Sequence, residues 1–253
     1  MQIRNMSYNP FSLEGKTILV TGASSGIGRA TAIECSKMGA QVIITGRNTE
    51  RLQETLDTLE GEGHQKFVAD LVSTDDMNAL VAQLGVLDGV VLCAGRGKSV
   101  PVQFATRDNL DLVFEVNFFS TIELLRVLYK KKRIKKEGSV VLMASVGGNH
   151  IYNVGNSIYG ASKAALNSMM KFCAKEFAVR KIRVNSICPG MVVTPLTKPS
   201  TFTAEQLKAD METYPLKRYG QPQEIAYAAV YLLSDAASWV TGHDLVIDGG
   251  LTI

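Results

Sequence analysis

The chain has 253 residues, of which 46% are hydrophobic and 20% are charged, and its formal net charge is +3. This is ordinary globular composition, with enough length to bury a core. No linker-like segment divides residues 1–253, which favours one domain with a short N-terminal extension at 1–12. The start has no apolar signal-peptide core, and no apolar run approaches the ~18 residues of a membrane span. We therefore expect a cytoplasmic protein with no membrane partner.

Short β-branched runs alternate with helical patterns along the chain. Strands are predicted at Lys16–Thr21, Gln41–Thr45, Lys66–Ala69, Gly89–Cys93, Ser139–Met143, Arg183–Ile187 and Asp244–Ile247. Helices are predicted at Gly26–Met38 and Glu50–Leu59, and over about 108–132 and 157–179. Most strands are nearly continuous apolar runs, as in a parallel sheet covered on both faces. The pattern predicts a doubly wound, Rossmann-type α/β fold of about seven strands in a single domain.

A glycine-rich turn separates the first predicted strand from the first helix. It reads Thr21-Gly22-Ala23-Ser24-Ser25-Gly26-Ile27-Gly28. Glycines let the backbone approach a phosphate closely, and the start of the helix offers free N–H groups with a positive dipole. The spacing G-x-x-x-G-x-G differs from the G-x-G-x-x-G dinucleotide fingerprint. Its place between strand and helix still predicts a phosphate-binding turn.

The same turn also matches the nucleophile elbow G-x-S-x-G of hydrolases, with Ser24 at its centre. Such enzymes need an earlier strand and loop to build part of the oxyanion hole. Only about twenty residues precede this turn, and His243 has no convincing Asp partner in the sequence. A serine hydrolase using Ser24 is therefore a distant alternative.

The residues that follow the next three strands also point to a nucleotide. An NAD site usually has a carboxylate after the second strand, where it binds the ribose 2′-hydroxyl. Here the chain reads Gly46-Arg47-Asn48. The guanidinium of Arg47 suits the 2′-phosphate of NADP(H). The alternative is that Arg47 is a surface residue at the start of a helix. Asp70-Leu71 is expected at the adenine. Cys93-Ala94-Gly95 provides another glycine for close approach.

Tyr159 and Lys163 stand four residues apart in a predicted helix, so both side chains lie on one face. A cation beside a phenol favours the phenolate and lowers its pKa. The pair therefore predicts a tyrosine that exchanges protons near neutral pH. Taken alone, the spacing is also typical of a solvated helix surface.

The remaining reactive side chains show no metal-ligand spacing. The cysteines are Cys35, Cys93, Cys173 and Cys188, and the histidines are His64, His150 and His243. They are widely scattered, with no CxxC motif. This pattern predicts reduced thiols and no metal site.

Taken together, these motifs resemble the short-chain dehydrogenase/reductase family from about residue 13 to residue 250. The matching features are the turn at Thr21–Gly28, Asn117 in Glu-Val-Asn-Phe, Ser145 after the fifth strand, Tyr159 with Lys163, Pro189-Gly190-Met191-Val192-Val193-Thr194 and Ile247-Asp248-Gly249-Gly250. Three features depart from the family pattern. Cys93 replaces an Asn, the stretch from Asp70 to Cys93 is short, and Ser145 and Tyr159 are fourteen residues apart.

The resemblance implies hydride transfer between the nicotinamide of NADP(H) and a carbonyl or secondary alcohol. It assigns Tyr159 as general acid and base, Ser145 as hydrogen-bond donor to the substrate oxygen, and Lys163 as the partner of Tyr159 and of the ribose. Asn117 would hold a water that relays protons. Pro189, Gly190, Val192 and Thr194 would contact the cofactor, with Thr194 and the Val192 backbone at the carboxamide.

The substrate is less well specified by the sequence. Residues 195–221 are expected to form a mobile lid whose apolar cover contains Leu196, Phe202, Leu207, Met211 and Tyr214. The segment 215–222 resembles 3-oxoacyl-[acyl-carrier-protein] reductases, which suggests a 3-oxoacyl thioester. Sugar, polyol and steroid-like alcohols remain alternatives, as does a non-catalytic NADP-binding protein.

The resemblance also implies a homotetramer built from the helices over 108–132 and 157–179. The basic segment Lys130–Lys136 is expected to be a solvated helix end, with acyl carrier protein docking as the alternative. A nucleic-acid partner is not expected, because no wide basic face with interleaved aromatic residues is visible.

Overall fold

The computed structural model describes residues 8–196 and 203–253. In this part of the chain, seven parallel strands form one sheet in the order β3-β2-β1-β4-β5-β6-β7. The strands are β1 (Thr17–Thr21), β2 (Gln41–Gly46), β3 (Gln65–Val68), β4 (Leu87–Leu92), β5 (Ile134–Met143), β6 (Arg183–Pro189) and β7 (Asp244–Ile247). The strand order reverses between β1 and β4, which creates the crevice where doubly wound folds bind ligands. The predicted fold class is confirmed.

Helices cover both faces of the sheet. They are α1 (Gly26–Lys37), α2 (Thr49–Leu56), α3 (Thr74–Gln83), α4 (Arg107–Phe114), α5 (Ser120–Lys130), α6 (Ser157–Phe177), α7 (Ala204–Met211) and α8 (Pro222–Leu233). Alternate strand residues point to opposite faces, so Leu19 packs in the core beneath α3, α5 and α6, while Ile18 and Val20 pack beneath α1 and α8. None of the described helices is long and apolar enough to cross a membrane.

The long helix predicted over 108–132 is interrupted. A π-helical turn at Glu115–Phe119 separates α4 from α5. Such turns insert one extra residue per turn and are frequent at functional sites. Here the turn contains Asn117, one of the predicted catalytic residues, and buries it completely.

The basic segment Lys130–Lys136 is not simply a helix end. Lys130 is the last residue of α5, but Ile134 already belongs to β5 and is paired with Leu87 of β4. Lys135 forms an ion pair with Asp88 at 2.7 Å. The prediction of a solvated helix end is therefore wrong for the second half of the segment, because β5 begins five residues earlier than the apolar run indicates.

The N-terminal extension and the lid, which were predicted as separate features, are only partly described. Residues 1–7 of the predicted extension 1–12 lie outside the described residues. Of the remainder, Pro10 accepts a hydrogen bond from the backbone of Ala236, and the ring of Phe11 contacts Tyr231. In the predicted lid, residues 197–202, including Phe202, are also outside the described part.

Candidate active site

A cleft of about 390 Å³ opens at the carboxyl ends of the strands, within the range of small-molecule and cofactor sites. Every residue predicted to bind the cofactor lines it: Gly22, Ser24, Ser25, Gly26, Ile27, Gly28, Arg47, Asn48, Asp70, Leu71, Cys93, Ala94, Gly95, Tyr159, Lys163, Pro189, Gly190, Val192 and Thr194. Ser145 lines it as well. The fold thus brings residues from the ends of six strands into one cavity.

The glycines after β1 are sterically required. Gly22 has a φ of +66°, and a Cβ there would lie 2.9 Å from the backbone of Ala94. A Cβ on Gly28 would lie 2.4 Å from the carbonyl oxygen of Gly22. Gly26 has a φ of +55° and leaves the start of α1 open toward the cleft. This backbone cradle at a helix N-terminus fits the pyrophosphate of a dinucleotide.

Two arginines line the end of the cleft beside β2. Arg47 is largely exposed, and its Nη1 lies 3.8 Å from the carboxylate of Asp70. Asn48 caps α2 by accepting a hydrogen bond from the backbone of Arg51 at 2.8 Å. Arg51 lines the cleft one helical turn after Arg47. The sequence prediction missed Arg51, although its i, i+4 spacing from Arg47 was a usable signal.

Tyr159 and Lys163 lie in the first two turns of α6. The ammonium of Lys163 is 5.8 Å from the centre of the Tyr159 ring and donates to the carbonyl oxygen of Met143 at 2.7 Å. Burial lowers the pKa of Lys163 from 10.5 to about 8. Burial also raises the pKa of Tyr159 to about 12, although a hydrogen bond with Ser145 opposes that rise. The sequence predicted a lowered pKa for Tyr159; the pKa is raised instead, because the loss of water around the phenol outweighs the interaction with Ser145.

Ser145 follows β5 and is held at both its side chain and its backbone. Its hydroxyl interacts with the Tyr159 phenol and accepts a hydrogen bond from the backbone N–H of Gly147 at 3.0 Å. Its carbonyl oxygen accepts from Nδ2 of Asn149 at 2.9 Å. The Ser145 hydroxyl is therefore directed at the predicted acid–base group.

Asn117 does not line the cleft, but its side chain connects two segments that do. Its Oδ1 accepts from the backbone N–H of Arg96 at 2.8 Å, and its Nδ2 donates to the carbonyl of Arg96 at 3.0 Å and to Ser162 at 2.9 Å. These bonds tie the segment after β4 to α6. A Cβ on Gly95 would lie 3.4 Å from both Asn117 Oδ1 and Lys163 Nζ. The water contact predicted for Asn117 stays a prediction.

The backbone around Cys93 is held without the Asn that the family pattern has there. Thr21 Oγ1 accepts hydrogen bonds from the backbone N–H groups of Cys93 and Ala94, at 3.0 and 3.2 Å. Burial raises the pKa of the Cys93 thiol to about 11, so the thiol is neutral. The short stretch between Asp70 and Cys93 still contains the ten-residue helix α3.

The base of the predicted lid is anchored next to the cleft. The backbone N–H of Val193 donates to Gly220 at 2.9 Å, and that of Gly220 donates to Met191 at 2.9 Å. Tyr214, predicted as part of the apolar cover, is instead 3% exposed, and its hydroxyl accepts from the backbone of Met191 at 3.4 Å. It therefore supports the base of the segment, because its ring packs edge-on against Tyr219.

Among the described residues, Ser24 has no histidine beside it in the cleft that would make it a nucleophile. In residues 8–196 and 203–253, no histidine lines the cleft. His243 lies in the turn before β7, where its backbone N–H donates to Asn185 at 3.1 Å. Without a general base, the elbow-like sequence at Ser24 serves the glycine turn and not a hydrolase site.

A family model described as enoyl-(acyl carrier protein) reductase matches residues 22–252. The match runs from the glycine turn past the last strand and includes Ser145, Tyr159 and Lys163. The chain belongs to the short-chain dehydrogenase/reductase family. The resemblance predicted from the sequence is confirmed. Members of this family are nicotinamide-dependent dehydrogenases and reductases that act on CH–OH and carbonyl groups, and this chain is such an enzyme.

Individual family members of similar sequence act on different substrates. The 3-oxoacyl-[acyl-carrier-protein] reductase of Rickettsia bellii is 35% identical, over 94% of this chain and 98% of its own. The glucose 1-dehydrogenase of Gluconobacter oxydans is also 35% identical, over 94% of this chain and 92% of its own. A solved structure of a short chain dehydrogenase/reductase family protein matches with a TM-score of 0.84 and 35% sequence identity. The match covers 96% of this chain and 100% of the solved chain. The family is therefore clear, while equal identities to an acyl and a sugar enzyme leave the substrate open.

Proposed function

We propose that this enzyme is an NADP(H)-dependent oxidoreductase that interconverts a carbonyl and a secondary alcohol, with Asn117, Ser145, Tyr159 and Lys163 as its working residues. The observation that carries the proposal is that Ser145, Tyr159 and the buried Lys163 all line one cleft together with the glycine turn. Ser145 follows β5, and Tyr159 and Lys163 lie in the first two turns of α6. The bound nicotinamide supplies the hydride chemistry.

The protein residues handle the proton and the developing charge. Tyr159, whose phenol is protonated at neutral pH, donates its proton to the substrate oxygen during reduction and accepts one during oxidation. The Ser145 hydroxyl donates a hydrogen bond to the same oxygen as negative charge develops there. Lys163 would hold the ribose hydroxyls of the cofactor. Asn117 keeps the segment after β4 at a fixed distance from α6 and holds the relay water.

Preference for NADP(H) over NAD(H) is supported by the charges at the β2 end of the cleft. Gly46 stands where an NAD site has a carboxylate. An added Cβ at this position would lie 3.5 Å or more from its nearest neighbours, so a side chain would fit there without a close contact. Arg47 and Arg51 both line the cleft beside it. Two guanidinium groups suit a 2′-phosphate, because Arg–phosphate hydrogen bonds are charge-assisted. The Asp70 carboxylate near Arg47 weakens but does not neutralise this site.

For the substrate, we propose a 3-oxoacyl thioester. Support comes from the identity to the Rickettsia enzyme and from the segment 215–222. A sugar, polyol or steroid-like alcohol is the second candidate, favoured by the equal identity to a glucose dehydrogenase. A carrier-bound substrate would bring an acidic protein, and Lys130, Lys131 and Lys132 offer exposed cations for it. The cytoplasmic location expected from the sequence remains a prediction.

The decisive experiment follows NADPH oxidation with 3-oxoacyl thioesters, both free and carrier-bound, and with keto sugars and ketosteroids. We expect turnover with at least one 3-oxoacyl thioester and less with the other classes. Reversal of Lys131, Lys132 and Arg133 to Glu should raise KM for the carrier-bound substrate only, since steering is electrostatic. Absence of NADPH oxidation with every carbonyl class would refute the proposed reaction. Turnover only with sugars or steroids would refute the acyl assignment.

A further inference from the structure

Three potential metal ligands from separate elements meet behind the loop that carries Ser145. His150 comes from the segment after β5, Cys188 from β6 and Asp244 from the start of β7. A ring nitrogen, the thiol sulfur and a carboxylate oxygen from these residues all lie within 4.8 Å of one another. The residues are far apart in the sequence, which is why the spacing of the cysteines and histidines predicted no metal site.

We propose that His150, Cys188 and Asp244, none of which lines the cofactor cleft, form a binding site for a zinc-class divalent ion. Imidazole nitrogen, thiolate and carboxylate are the ligands that Zn²⁺ uses in proteins, usually in a tetrahedral arrangement. The sulfur ligand disfavours Mg²⁺ and Ca²⁺, which prefer oxygen ligands. Three protein ligands leave one position for water. The small shifts needed to bring the atoms to bonding distance fall mainly on His150, the most exposed of the three.

Binding must displace one proton and one competing cation. The Cys188 side chain is fully buried, and burial together with the Asp244 charge raises the pKa of its thiol to about 11. Metal binding therefore releases the thiol proton to the buffer. Lys171 Nζ lies 3.6 Å from Asp244 and would be replaced by the ion as partner of that carboxylate. The ion can enter from solvent, because the side chains of His150 and Asp244 are 31% and 23% exposed.

The site is connected to the catalytic loop by side-chain hydrogen bonds. Asn167 of α6 donates to Asp244 at 3.3 Å and to Asn149 at 3.2 Å. Asn149 in turn donates to the carbonyl oxygen of Ser145 at 2.9 Å. His150 is the next residue of the same loop. A bound ion would therefore tie the loop after β5, which carries His150, to β6 and β7 and restrict the movement of Ser145.

The test is a titration of untagged, chelator-treated protein with Zn²⁺ and with Co²⁺. We expect one equivalent to bind and the Co²⁺ complex to show a near-ultraviolet thiolate charge-transfer band. Cys188→Ser should lose that band, whereas Cys173→Ser, which removes another buried thiol outside the cluster, should keep it. His150→Ala changes an exposed residue and preserves the fold. It should weaken Zn²⁺ binding at least ~10-fold, as the loss of ligand support commonly does.

Lys171→Gln provides a test in the opposite direction. This change removes the competing cation from an exposed position and should tighten Zn²⁺ binding. A thermal midpoint that rises with Zn²⁺ in the unmodified protein and in Cys173→Ser, but not in His150→Ala, would support the site. Absence of one-equivalent binding would overturn the proposal. A cobalt band that survives Cys188→Ser would also overturn it, since the thiolate would then come from elsewhere.

Discussion

The proton affinities of Tyr159 and Lys163 are both set by how little water reaches them. Burial raises the pKa of the phenol to about 12 and lowers that of the ammonium to about 8. At neutral pH the phenol is therefore protonated, while the ammonium still carries charge. A protonated phenol is ready to donate to a developing alkoxide, which is a much stronger base. This is the form that the proposed role of Tyr159 in carbonyl reduction requires.

Removing the Tyr159 hydroxyl tests this role directly. Tyr159→Phe keeps the ring, and we expect turnover to fall at least ~100-fold, the usual contribution of a positioned acid–base group. NADPH affinity, measured by fluorescence titration, should stay within a few fold. The matched control is Tyr152→Phe, which removes a hydroxyl from an exposed tyrosine of the neighbouring loop. Near-normal turnover in Tyr159→Phe would remove Tyr159 from the mechanism.

The pH dependence of reduction should report on Lys163. A lysine is charged below its pKa and loses the charge as the pH rises through it. Because burial brings that pKa down to about 8, we expect kcat/KM for reduction to decline above about pH 8, well before an exposed lysine would titrate near 10.5. The measurement is kcat/KM from pH 6 to 10, with NADPH binding followed in parallel. A rate that stays constant across that range would mean that the Lys163 charge does not contribute.

The preference for NADPH over NADH is also expected to depend on individual residues. We expect NADPH to bind more tightly than NADH, and Arg47→Ala to reduce the difference about 10-fold or more, because hydrogen bonds to charged groups contribute about 1.5–3 kcal/mol. Calorimetry with both cofactors measures it. Arg107→Ala is the control, since Arg107 pairs with Asp111 on α4 and does not line the cleft. Equal affinities for the two cofactors in the unmodified enzyme would contradict the assignment.

At the scale of elements, two irregular features position the working residues. The π-helical turn between α4 and α5 turns Asn117 inward, where it clamps Arg96 to Ser162. The loop after β5 packs against the first turn of α6 through a contact between Gly148 and Gly160, directly beside Tyr159. The relative placement of Ser145 and Tyr159 thus depends on two backbones touching without side chains between them.

Gly148→Ala should break that contact. Gly148 has a φ of +83°, and an added Cβ would lie 2.1 Å from the Gly160 carbonyl oxygen. We expect the free energy of unfolding to fall by about 2–4 kcal/mol and turnover to drop further than NADPH affinity. Gly155→Ala is a matched control, because its φ is +81° but the nearest atom would be 4.0 Å away. That variant should cost about 1 kcal/mol. Equal losses in the two variants would mean that the glycine contact does not position the loop.

At the scale of the whole molecule, helices α4, α5 and α6 bury one face in the core of their own chain and leave another apolar face uncovered. Leu125 and Met170 are fully buried under the sheet. Leu112, Phe119 and Phe172 are exposed at 39%, 50% and 61%. Aromatic residues this exposed on adjoining helices are typical of an interface. They support the homotetramer that the family resemblance implies.

Light scattering of the purified protein should therefore give four times the mass of one chain. Phe172→Glu places a charge in the centre of the expected interface, and we expect the tetramer to dissociate at least partly. Val86→Glu changes an exposed apolar residue before β4 and should leave the assembly intact. A stable single-chain mass for the unmodified protein at working concentration would contradict the tetramer.

The sequence by itself determined the parallel sheet, the glycine turn and the pairing of Tyr159 with Lys163. Each depends on local spacing: apolar runs form strands, glycines allow a positive φ, and residues four apart share a helix face. The sequence also placed Arg47 at the cleft, because parallel strands all end at one edge of the sheet, whereas Ser145 was placed there by the family resemblance.

Only the tertiary structure decided features that depend on contacts between distant segments. The raised Tyr159 pKa results from packing around the phenol, which the Tyr–Lys spacing does not report. The start of β5 at Ile134 is fixed by pairing with Leu87 and not by the polarity of Lys135 and Lys136. His150, Cys188 and Asp244 come together because β6 and β7 are neighbours in the sheet. Strand order and solvent exclusion are properties of the packed chain, and no local pattern specifies them.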